Sequence, residues 1–171
     1  MWVLERECEE CGFNTPAVAR EAIGSLTRGA ARSWPELLAN PLARIRPRDD
    51  LWSALEYGCH VRDVFRLGSI RVGRMLHEDN PKFANWDQDE AAVAERYDLQ
   101  DPLVVAEQIL TDGGTLADLY DTVEPDQWPR PSLRSDGSPF TVESFGRYLL
   151  HDPMHHIVDV QRGYEALNRS A

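Results

Sequence analysis

"LWSALEYGCHVRDVFRLGSIRVGRML", residues 51–76, decides how this chain is built. Tyr57, Val61, Val64 and Leu67 recur three and four residues apart, which lines up one face of a helix. Asp49-Asp50 stands just before the run, where short acidic side chains favour a helix start, and no proline interrupts it. The spacing predicts one long amphipathic helix, and His60 falls on its apolar stripe.

Helical patterns extend on both sides of this stretch. Upstream, Thr15-Pro16, a cap followed by proline at the first helical position, opens a run with Ile23, Leu26, Ala30, Trp34 and Leu37 at helical spacing; Asn40-Pro41 closes it. Its polar face carries Arg20, Glu21 and Arg28. Downstream, "HEDNPKFANWDQDEAAVAERYDLQDP" (77–102) has little sustained periodicity and reads as a long connection with a short helix near Glu90 to Arg96. A third long helix is expected from roughly Pro102 to Val123, apolar at Val105, Ile109, Leu116, Leu119 and Val123, with Gly113-Gly114 a point where it bends or splits. "EPDQWPRPSLRSDGSPF" (124–140) reads as loop. A fourth helix starts near Thr141, with Ser144 as its capping partner, and continues to about Leu167.

No alternating strand pattern stands out, so four long amphipathic segments joined partly by long connections predict an all-α four-helix bundle. The chain has 171 residues, 42% of them hydrophobic, enough for one core and tight for two. A single domain over 1–171 is expected, with residues 1–14 as an N-terminal arm bearing a Cys-x-x-Cys motif. The formal net charge of −11 repels a phosphate backbone or an anionic membrane surface, which argues against both as partners. Without a basic start, an apolar signal segment or a membrane-length apolar run, the expected location is the cytoplasm. An odd number of cysteines, three, does not build a disulfide framework and fits a reducing compartment.

The last helix holds the densest chemistry. "RYLLHDPMHHIVDV" (147–160) contains three of the five histidines. Residues four apart share a helical face, so His151 pairs with His155 and Asp152 with His156. "HDPMH" is a variant of the zinc-protease signature, with Asp152 in place of glutamate, although Pro153 disfavours a regular helix there. Phase separates the pairs. With Phe145, Leu149, Val160 and Tyr164 as the buried stripe, Asp152 and His156 face the core, while His151 and His155 are turned about 100° away. A buried carboxylate and imidazole are costly unless paired, protonated or bound to metal, and His60 is available as a third ligand. The alternative is that His60 and His156 are satisfied core histidines and Asp152 caps or pairs with Arg147.

A second-helix histidine within "LEYGCHVRDV", followed by a last-helix [His/Glu]-x-x-x-His motif, here "HDPMHHIVDV", is similar to the DinB superfamily of four-helix metal-binding proteins. That superfamily includes mycothiol- and bacillithiol-dependent transferases and maleylpyruvate isomerase-like proteins. The loop "FANWDQDEAAV" also resembles its members. The resemblance implies His60, Asp152 and His156 as metal ligands, in agreement with the phase. It departs at Asp152, where the family has histidine or glutamate; His151 and His155 are the alternates. The implied cofactor is a divalent metal, Zn2+ first and Ni2+ or another ion next. The implied activity is transfer or isomerisation using a low-molecular-weight thiol and a small electrophile. A non-enzymatic metal-binding or small-ligand-binding stress protein and a metal-dependent hydrolase with Asp152 or Asp159 as base are the alternatives. A homodimer is compatible with all three.

Other residues complete the expectations. Asp159 is placed to orient His156 or His155 as an outer carboxylate. "CEECGF" offers Cys8 and Cys11 at metal-knuckle spacing, as a thiol pair or second metal site, but with no second Cys-x-x-Cys to complete four ligands; inert thiols on a mobile arm are the other reading. Trp86 and Asp87, with Asp89, are candidates for a pocket mouth. Arg62, Arg66, Arg71 and Arg74 read as a solvated helix face with Asp63 as partner.

Overall fold

The computed structural model describes residues 2–170. Its α-helices are α1 (Ile23–Leu38), α2 (Ala54–His77), α3 (Gln88–Ala94), α4 (Pro102–Asp121) and α5 (Val142–Ser170); its strands are β1 (Lys82–Phe83), β2 (Pro131–Arg134) and β3 (Pro139–Thr141). The four long helices form the bundle that the apolar spacing predicts. α1 and α2 both pack on α4 and on α5, so these two chain-consecutive helices stand on a diagonal and touch little. Trp34, Leu55, Phe65, Met75, Ile109, Leu116, Phe145 and Leu150 fill the interior.

Local chemistry sets the helix ends. Ser53 accepts from the Glu56 N–H while the Glu56 carboxylate accepts from the Ser53 N–H, a capping box that starts α2 a few residues after Asp49-Asp50. α4 begins at Pro102 with Asp101 accepting from the N–H groups of Leu103 and Val104. Thr141 and Ser144 cap α5 reciprocally, as expected: each backbone N–H donates to the other's hydroxyl.

Several expectations need correction. α1 does not start at Thr15-Pro16. Thr15–Ala17 and Arg20–Ala22 are separate 3-10 turns, because Val18 is extended and buried and its carbonyl accepts from Arg147 Nε at 2.9 Å instead of from a following helical turn. Leu38, rather than Leu37, is the fully buried residue at the end of α1. Gly113-Gly114 does not split α4, which runs unbroken through both. A Cβ at Gly113 would lie 2.6 Å from the Ala31 Cβ, so this glycine lets α1 and α4 approach closely. Pro153 does not end α5; it is buried within it, and packing offsets the one lost backbone bond.

The segments read as loop contain a small sheet of order β1-β2-β3, with β1 parallel to β2 and β2 antiparallel to β3. These strands are too short for alternation to register in the sequence. The β2–β3 turn passes through Gly137 at φ +82°, a left-handed conformation that glycine adopts freely. The sheet pins both long connections against the bundle through Phe83, Phe140 and Phe145. The first connection is thereby carried past the middle of α2. Arg62 is also not a solvated residue. It is buried, bonded to Asp63 and Gln108, while Arg66 binds Asp112 and Arg74 binds Glu78.

Candidate metal centres

α2 packs directly on α5, which brings His60 to the turn of α5 that carries Asp152 and His156. One ligand atom from each of the three lies within 4.8 Å of the others. The imidazoles of His60 and His156 meet edge to face at 5.0 Å. Trp86, delivered by the pinned connection, stacks on His60 at 5.4 Å and 7°. Tyr57 covers His156 at 4.8 Å.

His60 is 1% exposed, and neither Nδ1 nor Nε2 has a hydrogen-bond partner. A buried imidazole with both nitrogens unpaired is destabilising unless something else binds it, and a cation approached from the Asp152 and His156 side fits this need. The reading of His60 as a satisfied core histidine does not describe it. Burial, aided by the nearby His156, pushes its pKa down to about 3, so the imidazole is neutral at physiological pH. Burial pushes the Asp152 carboxyl up, with His156 and His155 opposing. Arg147 is engaged by Glu143 and the Val18 carbonyl rather than by Asp152.

His156 Nδ1 lies 2.8 Å from Asp159 Oδ2. With Asp159 accepting from Nδ1–H, Nε2 keeps its lone pair for a cation, the outer-carboxylate arrangement common around metal-bound histidines. Burial raises the Asp159 carboxyl, but the hydrogen bond from His156 together with the charges of His155, His156 and Arg162 outweighs it and holds the group below the usual carboxylate range. The same carboxylate reaches His155 Nε2 at 3.5 Å.

A cavity of about 320 Å³ opens beside the trio, with His60 and Asp152 in its wall. Trp86 and Asp87 line it, as does Asp89. Arg71, Arg134 and Tyr148 also line it, and sequence reasoning missed all three because nothing local marks them. Arg71 donates to the Ala84 carbonyl and has no carboxylate partner among the described residues. Asp87 has its own structural task, accepting from the N–H groups of Asp89 and Glu90 to start α3.

His151 and His155 do not belong to this trio. They occupy the neighbouring face of α5 and meet the N-terminal arm, which is packed against the bundle: Val3 and Cys8 are buried, and Arg162 Nη2 donates to the Glu10 carbonyl at 2.7 Å. The zinc-protease arrangement, with Asp152 serving a His151–His155 pair, is therefore not formed. Cys8 Sγ is 3.6 Å from His155 Nδ1, and Cys11 Sγ is 3.9 Å from His151 Nε2. Burial pushes His151 down to about 4, with His155 and His156 adding to the shift. Cys59 stands apart, buried against the Tyr97 carbonyl with its thiol pushed up to about 12 by burial.

No family model matches the sequence, and no curated protein matches it. Among solved structures the chain is similar to YfiT from Bacillus subtilis, described as a probable metal-dependent hydrolase with an unusual four-helix bundle topology. The two share 17% identity at a TM-score of 0.74, over 85% of this chain and 89% of that one. At this identity the likeness establishes the fold, and that fold is the one the resemblance to the DinB superfamily implies. Among the described residues no helix is long and apolar enough to cross a membrane.

Proposed function

We propose that this chain is a metal-dependent enzyme in which His60, Asp152 and His156 hold one divalent cation, and that a small thiol and a small electrophile meet in the adjoining cavity. The observation that carries the reading is His60, buried with both ring nitrogens unpaired in the wall of that cavity. A cation held by three protein ligands keeps an open position and supplies Lewis acidity that favours the thiolate of a bound thiol at neutral pH. Zinc suits this mixed imidazole and carboxylate set.

The chain's own residues supply the rest. Asp159 fixes the tautomer and orientation of His156. Trp86 and Tyr57 shield the imidazoles from water. The Arg71 guanidinium, with no carboxylate of its own, favours a molecule with an anionic group at the cavity wall.

Hydrolysis is the second reading, favoured by the description of the YfiT structure. Of the two carboxylates expected to act as base, Asp159 is held by His156 and Asp152 belongs to the ligand set. Thiol capture does not require either as a base. The deciding assay incubates metal-loaded protein with a small electrophile, with and without cysteine-based thiols, alongside ester and amide substrates without thiol. Metal-dependent consumption of electrophile only in the presence of thiol supports the first reading. Thiol-independent hydrolysis replaces it with the second, and inactivity in both arms leaves a metal-binding protein.

A further inference from the structure

We propose that Cys8, Cys11, His151 and His155 form a second metal centre, a closed Cys2His2 zinc site that clips the N-terminal arm to α5. Its four ligand atoms lie within 4.8 Å of one another. In a tetrahedral zinc site, with Zn–S about 2.3 Å and Zn–N about 2.0 Å, sulfur and nitrogen ligands stand about 3.5 Å apart. Cys8 Sγ and His155 Nδ1 are at 3.6 Å, and Cys11 Sγ and His151 Nε2 at 3.9 Å. These two pairs stand within a few tenths of an ångström of that separation.

Three features indicate that the ligands are held in place. The first is the knuckle around the cysteines. The Cys8 N–H donates to the Phe13 carbonyl at 3.1 Å, and the Gly12 N–H donates back to the Cys8 carbonyl at 2.8 Å. Gly12 makes this reversal at φ +73°; a Cβ there would touch nothing, so the backbone conformation is what calls for glycine. The second is the orientation of His155. Its Nε2 faces carboxylates of Glu10 and Asp159, each at 3.5 Å, which leaves Nδ1 for the ion. The third is the helix itself, which places His151 and His155 four residues apart and brings their rings, tilted by 34°, to 5.0 Å. Both cysteines are free thiols.

Four protein ligands leave no position for a substrate, so this site differs in kind from the three-ligand centre on the other face of the same turn. Its role is mechanical. It joins chain segments 147 residues apart and sets the face of α5. Asp159 touches both His155 and His156, so closing the clip also steadies the neighbouring ligand set.

The test uses the full chain loaded with zinc or cobalt(II). The proposal expects two metals per wild-type chain, a sulfur-to-cobalt charge-transfer band, and one metal with no such band in Cys8→Ser/Cys11→Ser. His60→Ala should keep the band and lose only the other metal, so failure of the three-ligand centre is distinguishable from failure of this one. If the double variant does not fold, alkylation of the wild type replaces it. Cys11, only part-buried, should be protected by zinc and react after chelation. A cobalt-loaded wild type without the band, equal labelling of Cys11 with and without chelator, or a Cys8–Cys11 disulfide in the zinc-treated protein would overturn the proposal.

Discussion

Replacing His60 with leucine should stabilise the metal-free protein while removing the response of the three-ligand centre to metal. The imidazole presents one N–H and one lone pair to the interior, and neither is matched. Each unmatched buried group costs about 1–3 kcal/mol. Against this stands the loss of ring contacts with Trp86 and His156, about 0.5–1.5 kcal/mol for one good pair. The net gain for His60→Leu in chelator is about 1–3 kcal/mol, which at about 2–4 °C per kcal/mol raises Tm by several degrees. Metal shifts the balance back toward the wild type. At one hundred times its Kd, an ion bound only by the folded state adds about 2.7 kcal/mol to the wild type, an increment this centre cannot give the variant. Thermal unfolding of both proteins, with chelator and with zinc, measures all four quantities; any contribution from the cysteine-containing site raises both proteins and cancels in the difference. A metal-free His60→Leu protein less stable than wild type by about 2 kcal/mol, as after loss of a satisfied core side chain, would refute the reasoning.

Glu56→Gln should cost about 1–3 kcal/mol at neutral pH, because it removes the charge from the buried capping box and its Arg46 partner at 2.9 Å. Burial alone would raise the Glu56 carboxyl, but hydrogen bonds from Arg46 and Ser53 outweigh it and hold the folded pKa below the unfolded value of about 4.3. Its contribution is therefore present above about pH 4.3 and lost as pH falls through the folded pKa, so denaturant midpoints against pH should fall less steeply in acid for the variant. Gly113→Ala gains about 1 kcal/mol in helix propensity but forces a methyl to 2.6 Å from Ala31, so a net loss of about 1–3 kcal/mol is expected by urea unfolding. Asp159→Asn should weaken metal binding about 10–100-fold at the three-ligand centre and loosen the neighbouring one, read by competition with a chromophoric chelator. Arg71→Gln should raise KM for anionic substrates about 10–100-fold with metal content unchanged, as expected for loss of one charge-assisted hydrogen bond.

Helix existence was legible because apolar side chains recur at the period of the helix, and the phase of α5 separates Asp152 and His156 from His151 and His155 by spacing alone. The start of α1 was misread because Thr15-Pro16 is a sound local helix signal; the burial of Val18 and the capture of its carbonyl by Arg147, a residue from the far end of the chain, overruled it. The sheet was invisible because two to four residues per strand carry no period.

By itself the sequence determined the all-α class, the long helices and the ring of chemistry on the last one, since these follow from interactions within a few residues. Only the tertiary structure decided the diagonal placement of α1 and α2, the delivery of Trp86 and Arg71 to the cavity, and the meeting of Cys8 and Cys11 with His151 and His155. Contacts across 147 residues leave no trace in local spacing, because they are set by how apolar faces share one core.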